Sequence, residues 1–369
     1  MPSVPQNLSR RELFLRACRC QRVPRVPVWI MRQAGRYLPE YRALRAKHSF
    51  LEVCKTPELA VEASLQPYRL LGVDAVIVFS DILIPAEAMG MGLELSDAGP
   101  VLPNPIRNRR DVRSLRLFDP TYETRAILDA IRLLRNELGP DVPILGFAGA
   151  PWTLACYLVE GQTKQGFANL KKLRYSDPQL LRELLAFVAH ATARYLRAQI
   201  DAGATAVQLF DTWAGELSIP DYDQFALPAT QQLISELAPD SVPVILYSKG
   251  TSHLLPGLVR SGATVLSVDW RVNLHDLRTR IAPRLAVQGN VDPCALLGCE
   301  EEIQSAVRAA IADTGGVGHI LNLGHGILPS VPVENARAFV RFGQAAHLPE
   351  NASGPHAQSQ KEVSSSHAR

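Results

Sequence analysis

Eight short stretches of the chain are apolar at consecutive positions and end on a glycine, a proline or a polar residue. They are PVWIM (27–31), DAVIVFSD (74–81), PILGFAGA (143–150), AVQLFDT (206–212), PVILYSKG (243–250), TVLSVDW (264–270), LAVQGNVDP (285–293) and HILNLGHG (319–326). A strand with one wet face alternates apolar and polar residues, whereas a strand covered on both faces is apolar throughout. The pattern therefore predicts buried parallel strands with helices packed on them. The intervening segments carry helix grammar. Residues 56–72 open with Thr56 as N-cap and Pro57 at the first helical position, and stop at Gly72. Residues 177–203 repeat this with Asp177, Pro178 and Gly203, and residues 300–316 place acids in the first turn and glycines at the end. Eight strands alternating with helices predict an α/β fold, a single (β/α)8 TIM barrel over residues 9–346. A doubly wound open sheet is the alternative, because counting strands does not prove closure. The polar, Ser-rich stretch 347–369 and residues 1–8 lack apolar periodicity and are expected to be disordered.

Composition narrows the function classes. The chain has 369 residues and a net charge of +3, far from the basic excess of a nucleic-acid binder. No stretch approaches the length of a membrane span and no secretory h-region opens the chain, so a cytoplasmic protein without membrane contact is expected. The six cysteines, at 18, 20, 54, 156, 294 and 299, form no CxxC pair and have no nearby histidine at ligand spacing, so no metal site is expected. There is no GxxxxGK[ST] loop, no strand–GxGxxG–helix unit and no GxSxG elbow, so no nucleotide cofactor is expected either.

In a barrel of this kind the active site lies at the C-terminal ends of the strands. The polar residues there are Arg32, Asp81, Tyr157 a few residues past the third strand, Asp211 and Thr212, Lys249, Asp269, Asp292 and His325. The stretch MRQAGRYLPEYR (31–42) puts three arginines over the mouth, and Arg45 follows. A planar guanidinium donates two parallel hydrogen bonds to a carboxylate, so Arg32, Arg36, Arg42 and Arg45 suit a ligand with several carboxylates or phosphates. The alternative is a loop salt-bridged to Glu40 and Glu52. Asp81, inside the apolar run FSDIL, is either a helix cap or an anion facing a cavity, where it meets N–H donors or a developing positive charge. His325 lies between two glycines, which let the backbone approach closely and leave the imidazole free to turn inward. Tyr157 offers a hydroxyl or simple packing, and Thr212 a hydroxyl or a cap. Lys249 is a Schiff-base candidate by residue type and position alone. The residues by themselves describe a cofactor-free barrel enzyme acting on a polyanionic small molecule.

Those residues resemble the uroporphyrinogen decarboxylase family. PVWIMRQAGRYLPEYR (27–42) is similar to its first signature and GFAGAPWTLACYLVEG (146–161) to its second, with FSDIL, LFDTWAG (209–215), QGNVDP (288–293) and NLGHG in the family's order. The resemblance implies one (β/α)8 domain, a homodimer with facing clefts, and conversion of uroporphyrinogen III to coproporphyrinogen III by removal of four acetate carboxyls. It implies no cofactor, because the pyrrole ring itself serves as electron sink. Carried over by position, it assigns substrate contacts to Arg32, Gln33, Ala34, Gly35 and Arg36, to Asp81 as acceptor of the pyrrole N–H groups, and to Tyr157, Thr212 and His325. Asp81 is then the stabiliser of the cationic intermediate and is expected to stay ionised. Arg32, His325 or a bound water is the candidate proton donor. Two rivals follow: a corrinoid-type methyltransferase of the same superfamily, and a non-catalytic tetrapyrrole carrier. The first asks for His and Cys zinc ligands together, and neither His253 nor His325 has a cysteine within ten residues. The second has no use for a carboxylate at the centre of a polyanion site.

Overall fold

The computed structural model describes residues 7–96, 99–162, 166–237, 242–282, 284–346 and 348. Its main sheet is parallel and contains seven strands: β1 (Val76–Ile77), β4 (Ile144–Gly149), β5 (Ala206–Asp211), β6 (Val244–Ser248), β7 (Val265–Val268), β8 (Ala286–Val291) and β9 (His319–Leu323). They pair in sequence order, each with the next. A small antiparallel ladder, β2 (Glu94–Ser96) with β3 (Gly99–Val101), stands apart from it.

The first predicted strand, 27–31, closes the circle as an extended segment with one β-bridge, Val28 to Leu321 of β9. Leu321 N–H donates to the Pro27 carbonyl at 2.9 Å and Trp29 N–H to the Leu321 carbonyl at 3.3 Å. On its other side the Asp74 N–H reaches the Val28 carbonyl at 2.7 Å, just ahead of β1. Here a side chain does part of a strand's work. The buried Asp74 carboxylate accepts the Val28 N–H at 2.9 Å and takes two bonds from Arg25 at 2.6 and 2.8 Å. Inside the barrel, Trp29 Nε1 donates to Gln288 Oε1 at 2.9 Å, and Gln288 Nε2 donates to Gln208 Oε1 at 3.0 Å and Ser267 Oγ at 2.9 Å. One buried polar chain thus joins the closing segment to β5, β7 and β8. The sheet is a closed TIM-type barrel, and the open-sheet alternative is excluded.

The helices pack outside. Pro57–Leu71 begins and ends where its grammar predicts, with Gly72 in the left-handed region at φ 72°, but the Thr56 hydroxyl makes no capping bond. Asp177 does cap Pro178–Asp201, accepting the Leu180 N–H at 3.0 Å. Glu300–Thr314 keeps its acids at the positive end of the helix dipole and stops at Gly315. Residues 1–6 and most of 347–369 lie outside the described residues. Leu348 is described, and it corrects the expectation for its position. Its N–H donates to the Pro24 carbonyl at 3.1 Å and its side chain packs over Gly316, because it covers apolar surface.

Candidate active site at the barrel mouth

The arginine loop leaves the closing segment through a strained turn. Arg32 has φ 59°, a conformation that costs a non-glycine residue about 1–2 kcal/mol. Neighbouring contacts hold it there. Met31 N–H donates to Asn322 Oδ1 at 2.8 Å, and Ile327 N–H donates to the Met31 carbonyl at 3.0 Å. The Arg32 side chain lies flat on Gly326, where a Cβ would fall 2.3 Å from Arg32 Cδ. Gln33 is fully buried; its Nε2 donates to the Ala75 carbonyl at 3.2 Å, and its own carbonyl accepts the Tyr37 hydroxyl at 2.7 Å. Its side chain therefore braces the loop, and Ala34 and Gly35 form the turn between the two arginines.

The four arginines separate into two kinds. Arg42 donates to the Arg36 and Tyr37 carbonyls at 2.8 and 3.2 Å, and Arg45 bonds the His48 carbonyl and lies over the Phe50 ring. Both are struts of the loop. Arg32 and Arg36 are exposed and have no hydrogen bond or ion pair among the described residues. The salt-bridge alternative fails for Glu52, which engages His48 at 2.7 Å and caps its own helix.

Asp81 follows β1 and is anchored to the same loop. Phe79 packs against Tyr41 and Phe50, each at 5.6 Å between ring centres, and its N–H donates to Ser64 Oγ at 2.8 Å. Asp81 Oδ1 accepts the Leu83 N–H at 2.8 Å, at the turn into the helix Ile84–Ala88. The capping and inward-facing alternatives therefore coexist, because Oδ2 receives no hydrogen bond among the described residues. Burial pushes the carboxyl's pKa up, opposed by the Leu83 amide and the Arg32 charge. Without donors on Oδ2, ionisation is disfavoured; the expectation of an ionised Asp81 depends on a ligand supplying them.

Tyr157 sits on the helix Pro151–Glu160 that follows β4. Burial raises its phenol's pKa, opposed by the Trp213 indole and the Arg32 charge, while the Asp81 charge raises it further. Thr153 on that helix donates to Asp211 Oδ1 at 2.8 Å and accepts the Trp213 N–H at 3.1 Å. This fixes the turn that carries Thr212, whose hydroxyl has no partner among the described residues. Asp211 is completely buried, and burial, opposed by Thr153, pushes it up to about 7. Asp292 merely caps the next turn through the Cys294 N–H at 2.9 Å.

His325 completes the ring. Its Nδ1 accepts the Gly326 N–H at 2.6 Å, leaving the ring proton on Nε2. Burial first, then the charges of Arg32 and Lys249, push its pKa down to about 4, so the imidazole is neutral at pH 7. Tyr247 of β6 reaches across, donating to the Gly324 carbonyl at 3.3 Å with its ring 6.1 Å from His325. Asp269 is buried and accepts the Gly250 N–H at 2.5 Å and Arg271 at 2.8 Å. Tyr247 and Arg271 were not singled out from sequence: Tyr247 reads as one more apolar strand position, and Arg271 follows the strand end as an ordinary loop charge. His253 bonds the Leu217 carbonyl at 2.8 Å. Among the described residues no three His, Cys, Asp or Glu side chains converge as a metal site. Among the described residues the mouth thus carries unpaired cations on its rim and two carboxylates with an unpartnered oxygen, Asp81 and the buried Asp211.

A family model for uroporphyrinogen decarboxylase matches residues 9–345. The chain belongs to the uroporphyrinogen decarboxylase family. Uroporphyrinogen decarboxylase from Trichlorobacter lovleyi is 49% identical over 328 residues, covering 89% of this chain and 96% of the relative. That from Gloeobacter violaceus is 48% identical over 332 residues, with 89% and 96% covered. A methyltransferase from Methanosarcina mazei superposes with a TM-score of 0.79 over 92% of this chain and 99% of its own; at 24% identity that likeness speaks for the fold alone. The match spans the barrel and includes every strand end discussed above.

Proposed function

We propose that the mouth decarboxylates uroporphyrinogen III to coproporphyrinogen III. The observation that carries this is Asp81, short of donors, near Arg32, which with Arg36 on the same loop is short of acceptors among the described residues. A macrocycle with inward pyrrole N–H groups and outward carboxylates supplies both. Pyrrole N–H donors on Asp81 lower its pKa again and return it to the anion, which then faces the positive charge that develops on the ring. Arg32 and Arg36 hold acetate and propionate arms, with backbone support from Gln33, Ala34 and Gly35, and with Tyr157, Thr212 and the Nε2–H of His325 as further donors.

The reaction at each arm is balanced by one proton. Protonation of the pyrrole carbon beside the acetate-bearing position makes an iminium-like cation. The C–CO2 bond then breaks, its electron pair enters the ring, and CO2 leaves. Protonation of the exocyclic methylene and loss of the ring proton restore the pyrrole with a methyl group. The ring is the electron sink, so no cofactor is invoked. His325, neutral at pH 7, serves as a hydrogen-bond donor rather than as the acid, and proton delivery falls to Arg32 or a water that it orients. One (β/α)8 domain over 9–346 carries this function, in a cytoplasmic homodimer that binds neither membrane nor nucleic acid. Among the described helices none is long and apolar enough to cross a membrane.

The test is anaerobic incubation with uroporphyrinogen III, followed by oxidation and separation of products by carboxyl number. Seven- to four-carboxyl porphyrins, absent with Asp81→Ala, are expected. Binding with all eight carboxyls intact would contradict the reading and favour a carrier.

A further inference from the structure

We infer that Lys249 is a second carboxylate anchor for the substrate, on the side of the macrocycle opposite the arginine loop. The inference rests on the decarboxylase reading above and extends it to a residue outside the family signatures. Counting the closing segment as the first strand of the barrel and β9 as the eighth, Arg32 follows the first and Lys249 follows β6, the fifth. In a closed ring of eight these positions face one another across the mouth.

The lysine loop is fixed while its ammonium is left free. Asp269 accepts the Gly250 N–H at 2.5 Å, and Ser248 Oγ lies 2.7 Å from Thr251 Oγ1. The loop also packs directly on Gly215, where a Cβ would meet the Lys249 carbonyl at 2.5 Å. Lys249 itself is half-buried and has no hydrogen bond or ion pair among the described residues. Its neighbour Arg271 is already paired with Asp269 at 2.8 Å and stacked on Trp270, so it does not neutralise the same ligand group. The Lys249 charge bears on His325, as expected of two residues at the same mouth of the barrel. A half-buried unpaired ammonium on a rigid loop is unfavourable unless an anion completes it. A substrate with carboxylates around its whole rim overhangs the arginine loop on one side only, and Lys249 is a cation on the other that is unpaired among the described residues. The substrate has no aldehyde or ketone, so the amine acts as a charge and not as a Schiff base.

The test compares wild type, Lys249→Gln and Lys249→Arg, checked for equal thermal midpoints, by anaerobic initial rates and by anaerobic ultrafiltration binding of uroporphyrinogen III. Loss of one charge-assisted contact is expected to weaken binding and raise KM about tenfold, equivalent to about 1.4 kcal/mol, with kcat within about twofold. Lys249→Arg is expected to recover most of the loss, because it keeps the charge. Lys249→Gln binding and KM equal to wild type would overturn the inference, as would a loss of kcat alone. Binding is read without turnover, so a wild type that binds but produces no carbon dioxide would sink the decarboxylase reading while leaving the lysine's contribution measurable.

Discussion

Arg25 and Arg32 stand at opposite ends of the same extended segment, and the protein treats their charges in opposite ways. At the closed end, Arg25 forks onto the buried Asp74 at 2.6 and 2.8 Å, and Asp74 also receives the Val28 N–H and Gln344 Nε2. Every strong group there has a partner, and the partners knit the weakest seam of the barrel. At the mouth, Arg32, Arg36 and Lys249 are without partners among the described residues, and Asp81 has one backbone donor on one oxygen. A charge satisfied within the fold contributes to stability; a charge left open is available for a ligand. The same residue types therefore have structural work at one end and chemical work at the other.

That contrast breaks most sharply under alanine substitution of its two aspartates. Asp81→Ala is expected to reduce kcat by about 10²–10³-fold or more, the scale of losing one fixed electrostatic stabiliser, with stability changed by less than about 1 kcal/mol. Asp74→Ala is expected to do the reverse, lowering stability by about 3 kcal/mol while folded molecules keep their kcat. Urea titrations beside anaerobic rates check both, and a stability loss at Asp81 equal to that at Asp74 would erase the distinction. A smaller effect sharpens it. Arg32→Gly relieves the left-handed backbone, so it is expected to gain about 1 kcal/mol of stability while activity collapses. Equal or lower stability would show that the Gly326 and Asn322 contacts, not the site, set that turn.

The smallest effect is a titration. Since folding lowers the His325 pKa from 6.5 to about 4, this group contributes stability above pH 6.5 that is lost as pH falls through 4. The His325 ring proton resonances, assigned by comparison with His325→Asn, are expected to titrate near pH 4. Replacing Lys249 or Arg32 by Gln is expected to raise that midpoint. A midpoint near 6.5 in the free protein would mean that the mouth is wetter and less cationic than its geometry indicates.

Much of this was legible in the sequence because it is local. Consecutive apolar residues announced the strands, and Asp177–Pro178 and Gly72 announced helix ends. Motif order announced Arg32, Asp81, Tyr157, Thr212 and His325. What stayed hidden is non-local. Arg25 and Asp74 are 49 residues apart, Thr153 and Asp211 58, and Tyr247 and Gly324 77, so neither partner marks the other in the chain. The split of the arginines was hidden for a related reason. Whether Arg42 and Arg45 face a ligand or their own loop depends on the Arg36 and Tyr37 carbonyls for the first and on the His48 carbonyl and Phe50 ring for the second, and side-chain type alone does not encode that.

The most direct measurement is the structure of the protein with coproporphyrinogen III bound under anaerobic conditions. Asp81 is expected at the centre of the macrocycle, within hydrogen-bond distance of the pyrrole nitrogens, with propionates on Arg32 and Arg36. A product lying elsewhere, or bound with its carboxylates turned away from the unpaired arginines, would contradict the claim that the open charges at the mouth are there for the substrate.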